Sequence, residues 1–283
     1  MISWADWRAQ APSPPFAPLA QVLPVLPPKR WPLPQDWNAL ADLRRLRNAR
    51  SLPLRFVPTS DGRLSALDFE RRIHEAGEVE TRADNWHDAF HACAWLLFPR
   101  AKARINALHM AAGAADAPNG RTPLRDLLTQ FDESGLVIAC ADAQLAQLLA
   151  GFRWHELFWE KRARVQAAMD FVVFGHALYE HCLAPYDGLT AKGIVVPVRA
   201  DYFTLEGPQR LALLDQALDS HITLLSAQAG PRDLQPLPIK GIPGWARENE
   251  DAAYYRDERQ FRPGRGKAAR SGPPAGAQSP TSE

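Results

Sequence analysis

Asn85 to Arg100 reads NWHDAFHACAWLLFPR, and its spacing decides what kind of protein this is. Asp84 or Asn85 can offer a side-chain oxygen to the free amides of a helix start. Pro99 cannot continue a helix, so the stretch predicts one over about 86–98. Trp86, Phe90, Cys93 and Leu97 form an apolar stripe along it, and His87, His91, Ala94 and Phe98 form the adjacent stripe. Apolar residues on both stripes mean a helix covered on most of its circumference. Such a helix needs others around it, and the flanking sequence supplies them.

Downstream, Arg100 to Ala112 continues as a second helix ending at Gly113, a candidate left-handed cap. Residues 114–121 read as loop. Thr122-Pro123 sets an N-cap before a proline at the first helical position. The helix it opens carries Leu124, Leu127, Leu128 and Phe131 and stops at Asp132-Glu133-Ser134-Gly135. Leu136 to Cys140 (LVIAC) is the clearest strand, and Asp142 caps a helix over ADAQLAQLLAGF. Trp154 to Met169 and Phe171 to Leu183 (FVVFGHALYEHCL) both read as helices, the second largely buried. Ala191 to Val198 reads as a strand whose Pro197 puts it at an edge or an end. Thr204 to Leu218 is helical and PLPIKGIPGW a rigid loop. Upstream, Trp37 to Arg47 is a short amphipathic helix, Ser51 to Val57 is extended, and Asp61-Gly62 marks a turn. Asp68 to Ala76 fits helix or strand.

Two or three short strands among so many helices predict a mainly α protein with a small β element, α+β in class. The expected organisation is one globular domain over 35–261. A proline-rich N-terminal arm would precede it over 1–34, and a disordered tail of low apolar content would follow over 262–283. Interspersed Phe16, Leu19, Val22, Leu23, Val25, Leu26 and Trp31 suggest an arm laid on the protein's own surface; a polyproline ligand for a partner is the other reading.

The chain has 283 residues, 46% of them hydrophobic, and a formal charge of +1. That balance gives no electrostatic case for a nucleic acid partner. No apolar run approaches the ~20 residues that span a bilayer, so no membrane is expected. Cys93, Cys140 and Cys182 are too scattered for a disulfide framework and read as packed thiols. The N-terminal MISWADWRAQAPSPP has no basic segment followed by an apolar run. A cytoplasmic location is expected from these absences.

Several long stretches carry a resemblance: ERRIHEAGEVETRADNWHDAFHACAWLLFPRAKARINALH, RTPLRDLLTQFDESGLVIA, FVVFGHALYEHCLAPYDGLTAK and PLPIKGIPGW. In this order they resemble the proteobacterial family known as domain of unknown function 3025, over roughly Trp31 to Pro263. The resemblance supplies kinship and no chemistry. It also implies asparagine as the usual residue at the position of His91, so a two-histidine clamp on that helix is not the family's shared device.

Four constellations could carry chemistry. His87 and His91 are one turn apart and could share a zinc ion, though HDAFH is a poor copy of HExxH: Asp88 is short and points about 100° off the histidine face. Alternatively, both imidazoles are simply hydrogen-bonded. His176 and Glu180 form another i, i+4 pair, either an oriented base or an ordinary helix pair worth ~0.2–0.5 kcal/mol. Asp132 and Glu133 oppose the negative end of their helix and need a cation, a metal or solvent; Arg125 offers a simple partner, and turn chemistry is the plain alternative. Arg100, Lys102 and Arg104 could hold an anion or form a solvated face. No phosphate loop, nucleophile elbow or Cys–His signature is present.

Two functions stay open. In the first, a metal-assisted hydrolase, a divalent metal is held by His87, His176 and Asp132. His87, Asp88, His176, Glu180 and Glu133 are the candidate catalytic groups, with Asp84 nearby. The second is a non-catalytic protein that binds a partner through its proline-rich arm.

Overall fold

Asn85 does cap the central helix: its side chain accepts from the Asp88 amide at 3.0 Å in this computed structural model, which describes residues 2–10, 13–59, 62, 64–113 and 122–264. The elements run α1 (Trp4–Arg8), α2 (Pro34–Leu43), β1 (Arg55–Val57), α3 (Ala66–Ala76), β2 (Glu78–Glu80), α4 (Trp86–Leu97), α5 (Pro99–Gly113) and α6 (Pro123–Ser134). They continue with β3 (Gly135–Cys140), α7 (Ala143–Ala150), α8 (Arg162–Ala168), β4 (Met169–Val173), α9 (His176–Cys182), β5 (Thr190–Pro197), α10 (Gly207–Thr223) and β6 (Gln235–Pro238). The result is a mainly helical α+β fold with two small sheets. No helix among the described residues is long and apolar enough to cross a membrane.

α4 is the axis of the helical half. Ten of its twelve residues are buried, and the two that are not, His87 and Asp88, are polar. α5, α9 and α2 pack around it. Thr122 caps α6 through its hydroxyl, and Gly77, at φ 73°, closes α3 in the left-handed conformation that Cβ disfavours.

The larger sheet has the order β4-β3-β5-β6, with β3 antiparallel to β4 and parallel to β5, and β5 antiparallel to β6. Every residue of β3 is buried, as expected for a strand with both neighbours and both faces covered. β1 and β2 form a separate parallel pair.

Several expectations are corrected. Phe171 to Leu183 is not one helix: its first residues belong to β4 and α9 begins only at His176, because an apolar run fits either period. Trp154 to Met169 is likewise divided, with a π turn over Glu156–Glu160, then α8, and Met169 already in β4. α2 begins at Pro34 and ends at Leu43; Arg45, at φ 52°, turns the chain away. Part of PLPIKGIPGW is strand β6, so the strands number six among the described residues. Pro197 closes β5, which is an inner strand of its sheet.

The proline-rich segment forms 3-10 turns over Pro14–Gln21 and Leu23–Val25. Phe16, Leu19, Val22 and Leu26 are buried in the protein's own core, while Val25 is exposed. Trp31 packs on Trp86 at 4.7 Å between ring centroids, and Trp4 donates its indole N–H to the Pro27 carbonyl at 2.8 Å. Asp61 of the expected turn, the loop 114–121 and the expected tail beyond Gly264 lie outside the described residues. The three cysteines are buried free thiols.

Candidate functional site

Two glycines bring the site together. The amides of Phe174 and Gly175 both donate to the Gly135 carbonyl, at 3.0 and 2.9 Å. A Cβ on Gly175 would lie 2.3 Å from the Gly135 backbone nitrogen and 2.4 Å from the Glu133 carbonyl oxygen. Only a residue without a side chain lets the start of α9 press so closely on the end of α6. The next residue, His176, is thereby set against Asp132 and Glu133.

His87 and His91 of α4 approach the same point. The rings of His87 and His176 are 4.3 Å apart and nearly perpendicular, and those of His91 and His176 are 4.8 Å apart. His176 Nε2 lies 3.3 Å from Glu133 Oε2, and its Nδ1 lies 3.9 Å from Asp132 Oδ2. One donor atom each from His87, Glu133 and His176 lies within 4.8 Å of the others, and the same holds for His91, Asp132 and His176. These side chains line a cleft of about 900 Å³, together with Phe69 of α3, His109 of α5 and Thr129 of α6.

Lys102 is the residue that sequence reasoning misplaced. It is not part of a solvated face: only 3% of its side chain is exposed. Its Nζ donates to Asp132 Oδ1 at 2.5 Å and meets His91 Nε2 at 3.0 Å. An ammonium group only donates, so His91 Nε2 accepts and that imidazole is neutral with its proton on Nδ1. Burial, then the charge of Lys102, hold His91 well below the ordinary histidine range, in agreement with that tautomer. Burial pushes the Asp132 carboxyl up, but Lys102 and His176 outweigh it and hold the group below its ordinary value. The signal for Lys102 was its spacing. Lys102, Ile105, Asn106 and His109 share one face of α5, and all four are buried.

The remaining candidates divide clearly. Glu133 faces His176; burial pushes its carboxyl up, and the hydrogen bond and charge of His176 bring it below its ordinary value. Glu180 does not turn to His176 as an i, i+4 partner would; its Oε2 lies 3.4 Å from His87 Nδ1. Burial, reinforced by His176, lowers the His87 pKa, which keeps its imidazole neutral near neutral pH. Asp88 belongs to another contact: it accepts from the Arg82 amide at 2.7 Å and pairs with its guanidinium at 2.7 Å. Asp84 is exposed, with φ 51°. Arg104 pairs with Asp219 at 2.9 Å, away from the cluster.

Among the described residues several buried side-chain atoms make no hydrogen bond, Trp95 Nε1 and Tyr179 Oη among them, and one belongs to the cluster. His176 Nδ1 is buried without a hydrogen bond, in a side chain only 6% exposed. Unsatisfied burial of a polar atom is unfavourable by about 1–3 kcal/mol.

The family described as Protein of unknown function (DUF3025) matches residues 54–265. The chain belongs to this family. Every residue of the cluster lies within the matched residues. No curated protein and no solved structure matches the chain.

Proposed function

We propose that this protein is a metal-dependent hydrolase in which one divalent ion, zinc by the chemistry of the donors, is held by His87, Glu133 and His176. Two imidazoles and one carboxylate are a donor set of catalytic zinc sites, which leave a position for water. The ion would lower the pKa of that water and supply a hydroxide-like nucleophile near neutral pH.

The observation that carries this reading is the arrangement around the two imidazoles. His87 Nδ1 lies 3.4 Å from Glu180 Oε2 on one side, and one donor atom of His87 lies within 4.8 Å of donors on Glu133 and His176. A carboxylate beside a histidine can orient its ring for a metal, and Glu180 takes that place at His87. Ahead of His176, Nε2 and Glu133 Oε2 stand 3.3 Å apart. That equals the edge of a tetrahedron with bonds of ~2.0–2.1 Å, roughly 3.3–3.4 Å. His87 and Glu133 are half-buried at the cleft, so a substrate can reach the open position. A partner-binding role for the proline-rich segment has less support, because its larger apolar side chains are buried within the protein itself.

The test is elemental analysis of the purified full chain, followed by chelation, reconstitution with zinc and assay against chromogenic carboxylic and phosphoric esters. One bound equivalent is expected, lost in His176→Ala and His87→Ala, with hydrolysis that returns on reconstitution. No stoichiometric metal, or metal indifferent to both substitutions, overturns the reading. Iron bound without hydrolysis of either ester class overturns the hydrolase.

A further inference from the structure

We infer that Lys102 Nζ, held by Asp132 and His91 of the buried triad, is a resident cation in the place of a second metal ion, so that this centre is a metal–lysine pair. The inference rests on the single-metal reading above and adds to it the occupancy and the electrostatic role of the second position.

The cluster contains two ligand triads, not one, and they share His176. The ring presents a different nitrogen to each. Nε2 faces Glu133, in the triad with His87; Nδ1 faces Asp132, in the triad with His91. The first triad is half-exposed at the cleft, whereas His91, Asp132 and His176 are all buried. In the buried triad a cation is already present. Lys102 Nζ lies 2.5 Å from Asp132 Oδ1 and 3.0 Å from His91 Nε2. Zinc would bind the same donors at about 2.0–2.2 Å, so the ligands need to draw in by less than an ångström to take an ion in its place.

The exchange of an ion for a lysine has a chemical consequence. In two-metal sites the second ion steadies charge that develops on the reacting oxygens. Here a fixed positive charge lies behind Asp132 instead and cannot be lost to a chelator. The centre should therefore need only one exchangeable ion, and its reconstitution should be hyperbolic. His176 Nδ1, the third donor of the buried triad, makes no hydrogen bond, so it is not tied up by the lysine.

The experiment counts zinc by elemental analysis after equilibrium dialysis of the full chain, in wild type, Lys102→Gln and Lys102→Gln/Asp132→Asn. Glutamine removes the charge and ends one atom short of the lysine nitrogen, which leaves that position open to an ion. The expected counts are about one equivalent, about two, and about one. Zinc should also raise the melting temperature of Lys102→Gln more than that of wild type. A count of one in Lys102→Gln overturns the inference while the single-metal reading stands. Two equivalents in wild type also overturn it, whether or not Lys102→Gln folds, because the lysine would then not hold the place. Zero equivalents in wild type overturn the single-metal reading and this inference together.

Discussion

Two buried aspartates meet helix α5, and opposite means hold them there. Asp132 of α6 reaches the middle of the helix, where the Lys102 side chain keeps it ionised. Asp215 of α10 reaches its N-terminus and accepts from the backbone amides of Arg100 and Ala101, at 3.1 and 3.0 Å. For Asp215 burial dominates those amides and the charge of Arg100, and the carboxyl is pushed up to about 6. A carboxylate paired with a buried cation is a permanent charge, suited to electrostatic work beside a reacting group. A carboxylate held by amides is a clasp that releases its charge within an accessible pH range. Between them they fix the helix that carries Lys102 and His109 to the cleft.

The contrast can be broken most severely at Lys102. Lys102→Met leaves the Asp132 charge buried without its partner and should destabilise the protein by about 3–5 kcal/mol in urea unfolding. Adding Asp132→Asn should recover most of that loss; a loss below ~1 kcal/mol in the single variant would show that the pair does not hold the two helices. Next in size is Gly175→Ala. Its Cβ must displace the end of α6, at roughly 1–3 kcal/mol by overpacking. Zinc affinity should fall along with the melting temperature, because His176 moves with the backbone. An unchanged affinity would remove the glycine contact from the account of the site.

Asp215 comes third. Asp215→Ala takes the tertiary cap from α5 and should lower stability at neutral pH by about 1 kcal/mol. The pH dependence has a definite sign. The folded protein keeps the Asp215 proton up to about pH 6, whereas the unfolded chain releases it near 3.8. The folded state therefore binds more protons across that window, and the contribution of Asp215 to stability falls as pH rises through it. Asp215→Asn should flatten the slope there. A slope unaffected by the substitution would assign it to other groups. Smallest is Asp88→Asn, which loosens a half-exposed pair with Arg82 by less than ~1 kcal/mol and should leave zinc binding as it was. A lost ion in that variant would place Asp88 inside the centre.

Much of this was legible in the sequence. The N-caps Asn85 and Thr122, the proline at position 123 and the buried strand LVIAC act locally, and local signals survive without tertiary context. The histidines and carboxylates of HDAFH, DES and GH stood out because polar groups are rare in such apolar stretches. What was hidden depended on other elements. Arg100, Lys102 and Arg104 look alike in sequence, yet only Lys102 points inward, and that is set by the helices that cover α5. FVVFGH read as helix because five apolar or small residues fit both periods; pairing with β3 makes Phe171, Val172 and Val173 part of a strand. The closeness of α6 and α9 was signalled only by two glycines whose purpose appears when their carbonyl and amide meet.

The central claim is that His87, Glu133 and His176 hold one metal ion, and anomalous scattering at the zinc edge from crystals of the zinc-loaded full chain tests it most directly. The account predicts one strong peak about 2.0–2.2 Å from an imidazole nitrogen of each histidine and from a Glu133 oxygen, with Lys102 still on Asp132. A peak among other residues, or none at full zinc loading, would contradict it.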